Sequence, residues 1–93
     1  MREVAYGKKF VKSYKRISRS GNFDKSELEI IVDILTRNVE IPTRYHDHAL
    51  TGDFAGVREL HLRGNLLVLY KIEEDGSRVR FTNIGSHANL FGM

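Results

Sequence analysis

The chain has no cysteine, no tryptophan and a single proline among its 93 residues. Without cysteine, neither a disulfide framework nor a thiolate metal site can hold the fold or carry its chemistry. The N-terminal stretch MREVAYGKKF lacks the apolar centre of a signal peptide, and the longest apolar run, Leu66 to Tyr70, is far too short to cross a bilayer. The expectation is a cytoplasmic protein with no membrane partner. Acidic charge is scarce at the N-terminus, where Arg2, Lys8, Lys9, Lys12, Lys15, Arg16 and Arg19 face only Glu3. A basic segment beside a mildly acidic remainder is an electrostatic footprint for phosphate or for an acidic partner, although a solvated helix face reads the same way.

Apolar residues at 41% and charged residues at 29% suit a soluble globular chain. A chain this short supports one core, so a single domain over residues 1–93 is expected. Residues 2–6 alternate as a short strand does. Phe10, Tyr14 and Ile17 then recur at helical spacing, which predicts a basic amphipathic helix over 8–19, stopped by Gly21. Asp24 with Glu27 reads as a capping box for a second helix over about 25–38, with Leu28, Ile31, Val32 and Leu35 on one side. Pro42 forbids its continuation, and residues 43–56 read as a long loop, a kind that is usually functional or disordered in a compact domain.

From Val57 the pattern becomes strand-like, over 57–63, 66–72 and 78–84, with Asp75-Gly76 as a tight hairpin turn. The middle run does not alternate, which predicts a central strand covered on both faces. The fold class expected is α+β: two N-terminal helices packed on a small antiparallel sheet, in the order β-α-α-β-β-β with a short C-terminal segment.

Four histidines stand out: His46, His48, His61 and His87. Histidine alone has an unperturbed pKa near neutrality, so two of them can serve as base and acid in one reaction. His48 precedes the strands, His61 lies in the first of them and His87 follows the last, so the three could meet at one end of the sheet. His46-x-His48 with His61 and His87 would equally supply zinc with imidazoles, though no further ligand pattern accompanies them.

The order of residues in DHALTGDFAGVRELHLRGNLLVLYKI (47–72) and IGSHANLFG (84–92) resembles the YafQ family, within the RelE-like toxins of type II toxin–antitoxin systems. The likeness runs nearly full length and is carried by Asp47-His48 with Leu50 and Gly52, by Gly56 and Arg58 with His61, and by Gly85-Ser86-His87 with Leu90-Phe91. It implies a RelE-like fold and ribosome-dependent cleavage of messenger RNA without metal or cofactor. It implies as partners the message on the ribosome, ribosomal RNA and a cognate antitoxin, with the toxin alone monomeric and a hetero-oligomer formed with the antitoxin. His48, His61, His87 and Phe91 stand at the positions of the family's catalytic residues, and Asn65 at a fifth, where many relatives carry aspartate.

The chemistry fits these residue types. RNA carries its own nucleophile: a base takes the 2′-hydroxyl proton, the oxygen attacks phosphorus, and an acid protonates the departing 5′-oxygen, leaving a 2′,3′-cyclic phosphate. Phe91 could stack on a base. Arg58 could clamp phosphate and Glu59 could polarise a histidine, each in a supporting role. Lys8, Lys9, Lys12, Lys15, Arg16 and Arg19 are the candidates for RNA contact. Asn83 stands where relatives often have arginine, which removes a cation from the transition state unless Arg58, Arg63 or Arg78 compensates; Arg80 has the opposite strand parity. The competing reading is an attenuated or non-catalytic relative, acting on the ribosome or, like ParE toxins, on gyrase.

Overall fold

The computed structural model describes residues 1–21 and 23–92. The order is β1 (Glu3–Tyr6), α1 (Lys8–Ser18), α2 (Lys25–Arg37), β2 (His48–Ala49), β3 (Arg58–Leu62), β4 (Leu66–Glu73), β5 (Arg78–Gly85) and α3 (His87–Phe91). The α+β class and both N-terminal helices agree with the sequence reading. The sheet does not: it is mixed and five-stranded, ordered β1-β5-β4-β3-β2, with β1 running parallel to β5 and the other pairings antiparallel. The expected loop at 43–56 contains β2 and two single 3₁₀ turns, and the C-terminal segment is a short helix.

Local chemistry accounts for the helices. The chain passes from β1 into α1 at Gly7, whose N–H donates to Phe81 O at 2.9 Å; a Cβ there would stand 3.3 Å from that same oxygen. Phe10, Tyr14 and Ile17 then turn inward, and Phe10 packs on Phe81 of β5. Asp24 caps α2 by accepting from Ser26 N at 2.9 Å. Glu27 does not reciprocate as the expected capping box would: its carboxylate accepts from Arg63 N at 2.7 Å and so ties α2 to the β3–β4 turn. Leu28, Ile31 and Leu35 are buried against the sheet, each contributing roughly 1.5–3 kcal/mol. Left-handed Asn38 ends the helix.

The central strand β4 is covered on both faces, as its unbroken apolar run predicts. Val68 and Tyr70 join the main core beneath the helices, with Leu60, Leu62, Phe81 and Ile84. Leu67 and Leu69 alternate with them and point the other way, yet they are only 4% and 3% exposed. Their cover includes α3. Gly85 pairs with Leu67, and a Cβ on Gly85 would meet Asn89 Cβ at 3.2 Å and Leu90 Cδ2 at 3.5 Å, so α3 packs on this second face. Phe54, from the segment between β2 and β3, meets the Phe91 ring edge-on with centroids 5.0 Å apart.

The pairing register slips between Leu69 and Tyr70, which face Asn83 and Phe81 and leave Thr82 without a direct partner. The strict alternation that sets Arg80 apart from Asn83 in the sequence therefore does not hold across this bulge. The Asp75-Gly76 turn is present, widened to Glu74–Gly76, with Glu74, Asp75 and Gly76 all at positive φ.

Candidate active site

Strand alternation divides β3 between two environments. Leu60 and Leu62 enter the main core, and Arg58 shares their side; Glu59 and His61 project from the opposite face of the sheet. β2 joins this strand at its edge with His48 directly across from Glu59. The result is a compact group: His61 Nε2 lies 3.1 Å and His48 Nε2 3.4 Å from the same atom, Glu59 Oε1. Glu59 itself is 6% exposed, so a carboxylate assigned a supporting part in the sequence stands at the centre of the group. The signal was available in Arg58-Glu59-Leu60-His61, where residues two apart on a strand share a face.

Proton positions in the group follow from the acceptors. His48 Nδ1 is 2.7 Å from His46 O, a carbonyl that can only accept, so Nδ1 carries a proton, and Nε2 donates to Glu59 only when the ring is protonated on both nitrogens. As a carboxylate Glu59 also only accepts, which places the His61 proton on Nε2 and leaves His61 Nδ1 free. The His46 ring stands edge-on to His61, centroids 5.6 Å apart.

His87 and Phe91 form a second group. His87 opens α3, which is capped by Ser86 and Asn89 bonding reciprocally, and its ring lies 4.9 Å from that of Phe91 one turn later. The two groups occupy the same face, because His61, Leu67 and Gly85 align across β3, β4 and β5. Two strand spacings separate the backbones of His61 and Gly85, about 10 Å. His61 and the strand end that leads into His87 thus lie at opposite ends of this row, with Leu67 buried between them. Phe54 belongs to this group too, and sequence reasoning missed it; the glycines on either side, Gly52 and Gly56, both at positive φ, were its faint signal.

Other expected site residues have different surroundings. Arg58 is bound on the helix side of the sheet: its Nη2 donates to Asp47 Oδ2 at 2.8 Å, and the Tyr70 hydroxyl donates to Asp47 Oδ1. Asp47 raises the Arg58 pKa further, and burial followed by the bond to Asp47 raises that of Tyr70, so both stay protonated donors. Three residues from His61 on one strand, Arg58 lies on the opposite face of the sheet. Arg63, Arg78 and Arg80 pair with Glu27, Glu73/Glu74 and Glu73. Asn65 sits at the exposed β3–β4 turn, where it and Gly64 both take positive φ, a conformation that asparagine tolerates. Asn83 accepts from Ser13 Oγ at 2.8 Å and from Ile84 N at 2.9 Å. Among the described residues, no hydrogen bond joins Asn65 or Asn83 to the histidines.

Lys8, Lys9, Lys12, Lys15, Arg16 and Arg19 are all exposed, and no carboxylate pairs with them among the described residues. They ride on α1, which packs on the helix side of the sheet, and so lie away from the histidines. Like charges four apart, as at Lys8/Lys12/Arg16 and Lys15/Arg19, destabilise a helix by a few tenths of a kcal/mol each, a cost that a bound polyanion relieves.

A metal could also use this site. Ligand atoms of His48, Glu59 and His61 lie within 4.8 Å of one another, and two imidazoles with a carboxylate suit zinc or copper. The trio differs from the all-histidine set suggested by the sequence: Glu59 takes the place of His46 and His87.

Comparison with known proteins gives a consistent result. The profile of a family described as a bacterial toxin of type II toxin–antitoxin systems, YafQ, matches residues 2–92. The mRNA interferase toxin YafQ of Escherichia coli K12 is 29% identical over 92 residues, covering 98% of this chain and 97% of that protein. The crystal structure of the E. coli DinJ-YafQ complex contains a chain superposing with a TM-score of 0.84 at 29% identity, over 99% of this chain and 100% of that one. A metal-bound toxin from Helicobacter pylori superposes with a TM-score of 0.87 at 33% identity, over 98% and 100% of the two chains.

Proposed function

Because the chain belongs to the YafQ family of bacterial type II toxins, we propose that it is an endoribonuclease that cuts messenger RNA on the ribosome by metal-independent acid–base chemistry. A cognate antitoxin joins it in a hetero-oligomer, and the toxin alone is monomeric. The observation that carries the reading is the placement of His61, held by Glu59, and His87, beside Phe91, on either side of one strip of sheet.

In this scheme the scissile phosphate lies between His61 and His87 with the bases splayed toward Phe91. His61 Nδ1 takes the proton of the 2′-hydroxyl while its Nε2–H stays bonded to Glu59, which stabilises the imidazolium as it forms. The 2′-oxygen attacks phosphorus, the P–O5′ bond breaks, and His87 gives its proton to the 5′-oxygen, leaving a 2′,3′-cyclic phosphate. His48, fixed by His46 O and facing the same carboxylate, supports the base side. Phe91 stacks on a base and keeps the strand in line, a contact of roughly 1–3 kcal/mol. Arg58, Arg63 and Arg80 pair with carboxylates, whereas Arg44, which lines the same pocket as His46 and His61, bonds among the described residues only to the Tyr45 hydroxyl, so stabilisation of the charged transition state falls to the imidazolium groups and Arg44.

The test is cleavage of a translated message by the purified protein on programmed ribosomes, with a chelator selective for transition metals that leaves the ribosomes' magnesium in place. Unchanged cutting and cyclic-phosphate ends are expected. Cutting that stops with the chelator and returns with zinc would replace this reading by a second one, in which His48, Glu59 and His61 hold a metal. A metal so bound would supply a Lewis acid or an activated water. It would also occupy nitrogens that the acid–base scheme requires, so under the leading reading added zinc inhibits.

The cations of α1 serve ribosome binding and take no part in bond breaking. Replacing Lys12, Lys15 and Arg16 by glutamine should lower the slope of log affinity for ribosomes against log salt by about 2–3, with single-turnover cleavage at saturating ribosomes unchanged. A salt slope identical to that of the unsubstituted protein would remove α1 from the interface.

A further inference from the structure

His48 stands on a strand too short to hold itself. β2 has two residues, enters from left-handed His46 and pairs only His48 with Glu59 and Ala49 with Arg58. An edge of that length contributes few ladder bonds, and isolated two-stranded pairings are marginal even when longer. On the opposite face of the sheet, Asp47, the residue just before His48, is gripped from two strands at once. Arg58 of β3 donates to it from Nη2 at 2.8 Å and more loosely from Nε, and the hydroxyl of buried Tyr70 in β4 donates to its other oxygen. Arg58 and Tyr70 are themselves register partners.

We propose that Asp47, Arg58 and Tyr70 form a clamp that positions the base side of the active site from behind the sheet. The three are positioning residues and touch no substrate. Alternation transmits the constraint: with Asp47 fixed on the rear face, His48 is obliged to face front, opposite Glu59, and the shared Glu59 oxygen then fixes His61. Arg58 acts as a strut in this arrangement. A misplacement of a catalytic group by about 1 Å costs about a hundredfold in rate, so a loosened β2 should be visible in cleavage before it is visible in stability.

The inference rests on the nuclease reading for its kinetic arm and is independent of it in its spectroscopic arm. Tyr70→Phe removes one hydroxyl and keeps the buried ring. The expected result is a loss of about tenfold in the single-turnover cleavage rate, with ribosome affinity unchanged. In a His48→Gln background the same substitution should cost nothing more, because the clamp acts through β2. In the imidazole nitrogen NMR spectrum, Tyr70→Phe should shift the His48 signals and leave those of His87 in place. Asp47→Asn, if it folds, should behave alike. Full activity in Tyr70→Phe, or a loss that simply multiplies with that of His48→Gln, overturns the clamp. A wild-type protein that cuts nothing overturns the nuclease reading, and the imidazole signals then decide on the clamp: unmoved His48 signals refute it.

Discussion

His87→Ala is expected to fold like the unsubstituted protein and to lose cleavage of translated messenger RNA by about a hundred- to ten-thousand-fold, the usual worth of one well-placed proton transfer. The fold should survive because the imidazole is exposed and α3 is started by Ser86 and Asn89, whose reciprocal bonds do not involve residue 87. Surface changes of this kind stay within about 0.5 kcal/mol. The only ring that His87 meets among the described residues is that of Phe91, which keeps its contact with Phe54. Growth arrest on expression and cyclic-phosphate formation on ribosomes are the measurements. If the alanine variant arrests growth as fully as the parent, His87 is not the acid.

Glu59→Gln separates chemistry from stability in the other direction. Its carboxylate is buried, and one oxygen serves both His48 and His61. Glutamine keeps the volume and offers an oxygen to one imidazole, but it brings no charge to stabilise an imidazolium. The rate should fall about a hundredfold. Thermal stability should stay level or rise, since a buried charge that must be desolvated is an uncertain contributor to folding. Single-turnover cleavage and a melting curve on the same sample decide the matter. A glutamine variant that cuts at the parental rate would show that Glu59 merely fills space.

How far the sequence was legible depends on the range over which each feature is specified. Helices α1 and α2 declare themselves through periodicity, and strands β3 to β5 through short apolar runs bounded by turn residues, and the structure places their ends within a residue or two of the pattern. The parallel pairing of β1 with β5 joins Glu3 to Arg78, and no local signal encodes it. β2 is too short to show a period, and the capping box that Ser86 opens on α3 has Asn89 at the position where the usual signature has a glutamate or glutamine. In the candidate site, the histidines were visible by type and order. Their division into two groups, the central part of Glu59 and the rearward turn of Arg58 followed only from strand register and parity. At Asn65, family position suggests chemistry, and the structure adds that the backbone there takes a positive φ that asparagine tolerates.

The adjacency of the first and last strands bears on when the protein becomes dangerous. Among the described residues β1 finds its pairing partner, and α1 its main packing surface, on β5, and His87 comes later still. A polypeptide interrupted anywhere before residue 78 therefore has an orphaned N-terminal strand and no seat for its basic helix. Contacts of such long sequence separation form late in folding. Harm to the cell that makes this chain is thus deferred until β5 has been made.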